Sequence, residues 1–222
     1  MLKELVVISG KGGTGKTSIV AALASLLDDK ILADCDVDAA DLHLVLQPEI
    51  LETENFWSGK TACINNEKCL RCGKCLELCR FKAIKTTNNT FVIDRISCEG
   101  CGVCVHFCPA GAIDFNDNLC GHTYVSRTPY GFLVHAKLGI AEENSGKLVT
   151  LVKSRAKQIA QKEGCNTVVI DGPPGIGCPV IASISGADLV LIVTEPTPSG
   201  FHDLQRVVEL TGHFNIPACI CI

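Results

Sequence analysis

Eight cysteines between Cys69 and Cys108 repeat one spacing twice, and few small folds tolerate that pattern. Cys69, Cys72, Cys75 and Cys79 follow C-x2-C-x2-C-x3-C, and Cys98, Cys101, Cys104 and Cys108 repeat it 29 residues later. Gly73 and Gly102 hold the place after the second cysteine of each copy, and Ala83-Ile84 matches Ala112-Ile113. Two copies make a small pseudo-symmetric module rather than a solenoid. Seven further cysteines (Cys35, Cys63, Cys120, Cys165, Cys178, Cys219, Cys221) are scattered. The chain has 222 residues and opens on an apolar run, Leu5 to Ile8, without a basic leader. A secreted disulfide framework does not fit these features, so the clustering points to metal ligation in a reducing cytoplasm. The spacing suits an iron–sulfur cube, because three close thiolates wrap one face while a fourth arrives from afar. A tetrahedral zinc site uses paired C-x2-C units and would leave thiols over.

Outside this block the chain changes character. Apolar residues make up 47% and charged residues 20%, which excludes a disordered, collagen-like or coiled-coil chain. No apolar run approaches the ~18 residues of a membrane helix, so no membrane span is expected. Short apolar runs at Leu5–Ser9, Ile31–Ala33, Thr167–Ile170, Leu189–Val193 and Ile216–Ile222 read as strands. Helical spacing is expected from Lys16 to about Leu27, over Ser145–Glu163 with Ser145 and Gly164 as its caps, and over Ser199–Leu210. Continuously apolar strands alternating with amphipathic helices predict an α/β domain with a parallel sheet covered on both faces. Its two parts would be residues 1–57 and 119–222, interrupted by a Cys-rich α+β insert at 58–118. The abrupt apolar end at Ile222 leads us to expect that part of the C-terminus is missing.

The run Gly10 to Thr17 fits G-x-x-x-x-G-K-[ST] between an expected strand and an expected helix. In that context Gly10, Gly12, Gly13 and Gly15 let successive backbone N–H groups, with those of Lys11, Thr14 and Ser18, curl around a triphosphate, and the helix adds its positive end. Lys16 would reach the β and γ phosphates and the Thr17 hydroxyl would bind magnesium. The net charge of -4 supplies no electrostatic reason for nucleic acid as a partner.

Lys11, a second lysine just after the first glycine, makes this loop resemble that of the deviant Walker A ATPases, the MinD/ParA/Mrp superfamily that includes the nitrogenase iron protein. The resemblance covers most of residues 1–50 and 145–222. It implies a P-loop ATPase in which ATP binding drives a homodimer, or a heterodimer with a paralogue, and Lys11 reaches the partner's ATP, offsetting charge that develops at the β–γ bridge. It places Asp36, in the segment Asp34–Asp38, where it would orient the attacking water and join the magnesium site. It places Asp171, before Gly172 to Gly175, as the magnesium-holding aspartate of the second switch. Glu195 falls where relatives contact adenine and the dimer face, and base recognition would come from beyond Ile222.

The Cys block resembles the two-cluster bacterial ferredoxins, in which the fourth cysteine of each motif crosses to the other cluster. That resemblance implies one [4Fe-4S] cluster on Cys69, Cys72, Cys75 and Cys108, and another on Cys98, Cys101, Cys104 and Cys79. Ala83, Ile84, Ala112 and Ile113 would screen the cubes from water. Arg80 stands where the second motif has Pro109, and its charge would raise the potential of the neighbouring cluster. Cys178 lies seven residues after Asp171, near where the iron protein bridges its subunits with a cluster, but without a second cysteine to match. Taken whole, the chain resembles MinD-superfamily ATPases with an inserted ferredoxin. The implied function is an ATP-hydrolysing protein that passes electrons to a redox or metal-cofactor partner. The alternatives are a cluster carrier or maturation ATPase, and a positioning ATPase with redox-sensing clusters.

Overall fold

The computed structural model describes residues 2–139 and 145–222. Residues 140–144, inside the expected ATPase span 119–222, lie outside the described residues. The chain separates into two compact units. Within the described residues, the first holds 2–55, 121–138 and 145–222, and the second holds Phe56–Cys120 with Gly139.

In the first unit, β1 (Lys3–Ser9) leads into α1 (Lys16–Leu26), and β2 (Lys30–Asp34) is followed by the short α2 (Leu42–Leu46). The strands β3 (Glu49–Ile64) and β6 (Ile113–Thr128) each run across the boundary between the units. Then come β7 (Gly131–Leu138), α5 (Ser145–Glu163), β8 (Thr167–Pro174), α6 (Cys178–Ile184), β9 (Leu189–Val193), α7 (Pro198–His213) and β10 (Ala218–Cys221). They form one eight-stranded sheet in the order β10-β9-β1-β8-β2-β7-β6-β3.

From β10 to β2 every pairing is parallel, as the apolar runs predict, and β7, a strand not among those expected, also pairs parallel with β2. Val6, Val7 and Ile8 of β1, Ile31 to Ala33 of β2 and Val168 to Ile170 of β8 are all fully buried, the pattern of strands covered on both faces. The helices bury one stripe each. In α1 this is Lys16, Val20 and Ala24 at intervals of four, and in α5 it runs from Leu148 through Val152 and Ala156 to Ile159. Helix α5 ends at Gly164, whose φ of 73° suits the end of a helix. Helix α7 begins earlier than its periodicity indicates, because the Thr197 hydroxyl accepts the Gly200 N–H and Pro198 fits the first turn.

The sheet also carries an addition that the apolar runs do not announce: β6 pairs antiparallel with β7, and β3 lies beyond it. Most of β3 is exposed, so it shows neither the continuous apolar run nor the alternation that marks a strand in sequence.

The second unit contains two short helices, α3 (Lys74–Leu78) and α4 (Val103–His106), and a hairpin of β4 (Ile84–Thr87) and β5 (Thr90–Ile93). Gly73 and Gly102 open the two helices in the same left-handed conformation, so the sequence repeat is a structural repeat. Asn88 and Asn89 both take positive φ between β4 and β5, the demand of a tight turn that matches strand twist. The core consists of Ala62, Ile64, Ile84 and Ile113, with Cys69, Cys75, Cys79, Cys98, Cys104 and Cys108 packed against it.

Candidate functional sites

The first site stands at the carboxyl ends of β1, β8 and β2, where open α/β sheets bind ligands. Strand register puts Asp171 of β8 beside Val7 of β1 and Asp34 of β2. After β1 the loop from Gly10 turns into α1 through Gly15, at φ 87°. A side chain there would strain the backbone, whereas at Gly10 a Cβ would lie 2.4 Å from that of Asp203. The first side chain of α1 is Lys16, whose Nζ donates to Asp171 at 2.7 Å and to Asp36 at 3.3 Å. Thr17 Oγ1 donates to the other Asp171 oxygen at 2.8 Å. The structure therefore brings Lys16, Thr17, Asp36 and Asp171 together.

Burial would lower the Lys16 pKa, but the charges of Asp171, Asp36 and Asp34 outweigh it and hold the ammonium above its ordinary value. Burial raises Asp171 and Asp36 against the pull of the same lysine. The two directions express one fact: several carboxylates share a single buried cation. Asp34, fully buried, accepts the N–H groups of Asp36 and Leu42, yet burial and the Asp171 charge push it up to about 8. An excess of buried carboxylate over cation suits a divalent metal ion. The buried Thr14 hydroxyl has no partner among the described residues, and Gly12, Gly13 and Gly15 have open space among them where a Cβ would stand. The loop thus fits a ligand that accepts hydrogen bonds.

Lys11 does not join this cluster. Its ammonium pairs with Glu195 Oε2 at 2.9 Å, both side chains about one-third exposed. Glu195 follows β9, the parallel neighbour of β1, so adjacent strand ends bring the two together. Sequence reasoning placed Glu195 only near the adenine and dimer face and missed this pairing. It also gave Asp34 no part. Asp34 closes β2, which β8 separates from the P-loop strand, and Glu195 lies two residues past β9, so the signal in each case was only an acid at the carboxyl end of an apolar run.

The second site lies in the Cys-rich unit. One pocket is walled by Cys79, Cys98, Cys101 and Cys104 together with Ala83, Ile84 and Ile93. A second is walled by Cys69, Cys72, Cys75 and Cys108 together with Phe91, Ala112 and Ile113. The four thiols of each quartet share the walls of one pocket, which fits a polynuclear cluster, where each thiolate binds its own iron. Ala83, Ile84, Ala112 and Ile113 are all buried, and the pocket walls are almost wholly apolar apart from the thiols. Cys178 is exposed at the start of α6, in the sheet unit rather than the Cys-rich one.

A 4Fe-4S dicluster domain family matches residues 62–115, the span of both quartets. Among solved structures, the septum site-determining protein MinD complexed with Mg-ADP from Pyrococcus horikoshii superposes with a TM-score of 0.52 at 17% identity, covering 98% of this chain and 68% of that one. The cell division ATPase MinD of Pyrococcus furiosus gives 0.50 at 19% identity, covering 98% and 70%. The chain therefore combines the fold of the MinD/ParA P-loop ATPases with a 4Fe-4S dicluster domain. More specifically, it belongs to the family of two uncharacterized proteins of Methanocaldococcus jannaschii. MJ0578 is 37% identical over 219 residues, covering 97% of this chain and 76% of the relative. MJ0579 is 30% identical over 230 residues, covering 97% and 79%. Among the described residues no helix is long and apolar enough to cross a membrane.

Proposed function

We propose that this protein binds and hydrolyses ATP with magnesium as a dimer, and couples that cycle to electron transfer through two [4Fe-4S] clusters. The observation that carries the reading is the presence, in one chain, of a buried Lys16–Asp171–Thr17 constellation at a P-loop and of two apolar pockets with four thiols each. Residues 58–118 would act as the inserted redox module and 1–57 with 119–222 as the ATPase.

Lys16, held charged by Asp171 and Asp36, would neutralise the β and γ phosphates. Thr17 and Asp171, now bonded to each other, would hold magnesium, and Asp36 would orient the attacking water. The loop residues from Gly10 to Ser18 would supply backbone N–H groups to the phosphates. Lys11 is held by Glu195 in the single chain, so reaching a partner's nucleotide would exchange that exposed pair, worth roughly 0–1 kcal/mol, for a phosphate contact. The partner would be a second copy or a paralogue, and two relatives in one organism favour the latter.

Cys69, Cys72, Cys75 and Cys108 would hold one cluster, and Cys98, Cys101, Cys104 and Cys79 the other. When bound, the clusters supply one-electron carriers. The surrounding Ala83, Ile84, Ala112 and Ile113 exclude water, and the exposed Arg80 beside Cys79 favours the reduced form there.

The test is anaerobic purification followed by iron analysis and single-turnover electron transfer with and without ATP. About eight iron atoms per chain and an ATP-dependent transfer are expected. Stoichiometric zinc with little iron would sink the cluster assignment. Cluster delivery to an apo-protein without electron transfer would select the carrier alternative.

A further inference from the structure

The two cysteine motifs fold alike but present different surfaces. Arg71, before Cys72, has φ 55°, and Gly100, before Cys101, has φ 59°. At position 100 only glycine fits, since a Cβ would lie 2.0 Å from the Lys60 carbonyl oxygen. At position 71 the same left-handed conformation is taken by an exposed arginine, at a backbone cost that glycine would avoid.

Arg71 is not alone. Lys68 and Lys74 are exposed on either side of it in sequence, and Leu70 between them is 71% exposed. The Lys74 ammonium lies 5.4 Å from the ring centre of Phe107, itself 46% exposed. Leu70, Cys72 and Lys74 also wall the pocket of Cys69, Cys75 and Cys108. Among the described residues, none of the three cations is in an ion pair. The matching positions of the second motif are Ser97, Glu99, Gly100 and Val103, with one acid and no cation.

We infer that the face around Leu70 and Arg71 is the docking surface for an acidic electron-carrier protein, which exchanges electrons with the cluster of Cys69, Cys72, Cys75 and Cys108. This inference rests on the electron-transfer reading above. An apolar centre ringed by unpaired cations, against one wall of a redox pocket, suits a small transient encounter steered by charge. In each encounter one electron passes: the carrier is oxidised by one electron as the cluster is reduced, or the reverse. No bond is made or broken and no proton need move.

The test uses the full chain with both clusters, mixed anaerobically in a stopped-flow instrument with a reduced acidic two-[4Fe-4S] ferredoxin at low and high salt. Wild-type transfer should slow as salt rises. Lys68→Glu/Arg71→Glu/Lys74→Glu should lower the second-order rate at low salt about tenfold or more and flatten the salt dependence. The neutral version, with Gln at the three positions, should shift the rate the same way by less, which guards against a charge reversal that disturbs cluster assembly. Lys82→Glu/Lys85→Glu, at exposed positions after Cys79, removes as much positive charge per site but should leave the rate within about twofold of wild type if steering is local.

Equal rates for wild type and the three-site variants would overturn the docking surface while leaving electron transfer standing. So would an equal loss in the Lys82/Lys85 variant. If the three-site variants instead lose binding to duplex DNA but exchange electrons normally, the face serves a polyanion and the proposal falls. If the wild-type clusters are reduced by dithionite but by no carrier protein, the electron-transfer reading fails first.

Discussion

The sheet unit buries Val6, Val7, Ile8, Ile31, Leu32, Leu133, Leu148, Ile170, Ile184 and Ile192 without trace of exposure, whereas the Cys-rich unit has a core of Ala62, Ile64, Ile84 and Ile113, each still slightly exposed, ringed by six cysteines. At about 25 cal/mol per Å2, the first set supports an independent fold, and the second is too small to offset the ordering of Phe56–Cys120. A module of that size needs a staple. The difference teaches that thiols can be core and site at once. Removing what they bind would remove a fold as well as a function, while the sheet unit would survive loss of its ligand.

The largest expected effect follows directly. Stripping iron from the anaerobic protein should remove amide-exchange protection across residues 62–113 and leave β1, β8 and α5 protected. Protection retained throughout the Cys-rich unit would erase the contrast between the units.

Lys16→Ala comes next. It should abolish ATP binding by calorimetry. It should also destabilise the ligand-free sheet unit by on the order of 3 kcal/mol, because Asp171, 1% exposed, loses the cation it faces. Adding Asp171→Asn should restore much of that stability and none of the binding. By contrast, Lys11→Ala, whose ion pair is exposed, should leave stability and ATP binding nearly unchanged while hydrolysis and ATP-dependent dimerisation are lost.

Ile84→Ala sharpens the comparison inside the second unit. Truncating a buried isoleucine costs about 2–5 kcal/mol, and in so thin a core it should appear as faster cluster loss in air rather than as a shift in sheet-unit melting.

The smallest effect is a pH dependence. Asp34 is pushed up to about 8 in the folded protein from 3.8, so the folded state binds the extra proton across that window. Its contribution is fully present below pH 4 and is lost as pH rises through about 8, so ligand-free stability should fall with pH there. Asp34→Asn should flatten that slope in denaturant titrations. An unchanged slope would assign the titration to another group.

Much of the sheet unit is legible in the sequence because strands covered on both faces must be apolar throughout, as Val168 to Ile170 are, and because Leu148, Val152, Ala156 and Ile159 keep a helical period. The edge formed by β6 and β3 is not legible, since β3 is mostly exposed and β6 buries the polar Thr123, Ser126 and Thr128 rather than a continuous apolar run. The site divides in the same way. The P-loop announces itself because backbone geometry demands its glycines. Asp34, by contrast, reads as one acid among three in Asp34–Asp38, and only the sheet register shows that it is the buried one. The grouping of cysteines was available from resemblance to ferredoxins rather than from spacing, which does not say which fourth thiol meets which three. Glu195 was visible, but its pairing with Lys11 depends on β9 lying beside β1.

If ATP turnover gates electron transfer as proposed, nucleotide and redox state are linked in one chain. The most direct test is the ATP dissociation constant of the full chain, measured anaerobically with both clusters oxidised and again with both reduced. Because coupling is reciprocal, that link requires a difference of about fivefold or more between the two states. Identical affinities, within error, would contradict it and leave the Cys-rich unit a tethered electron carrier with no hold on the ATPase.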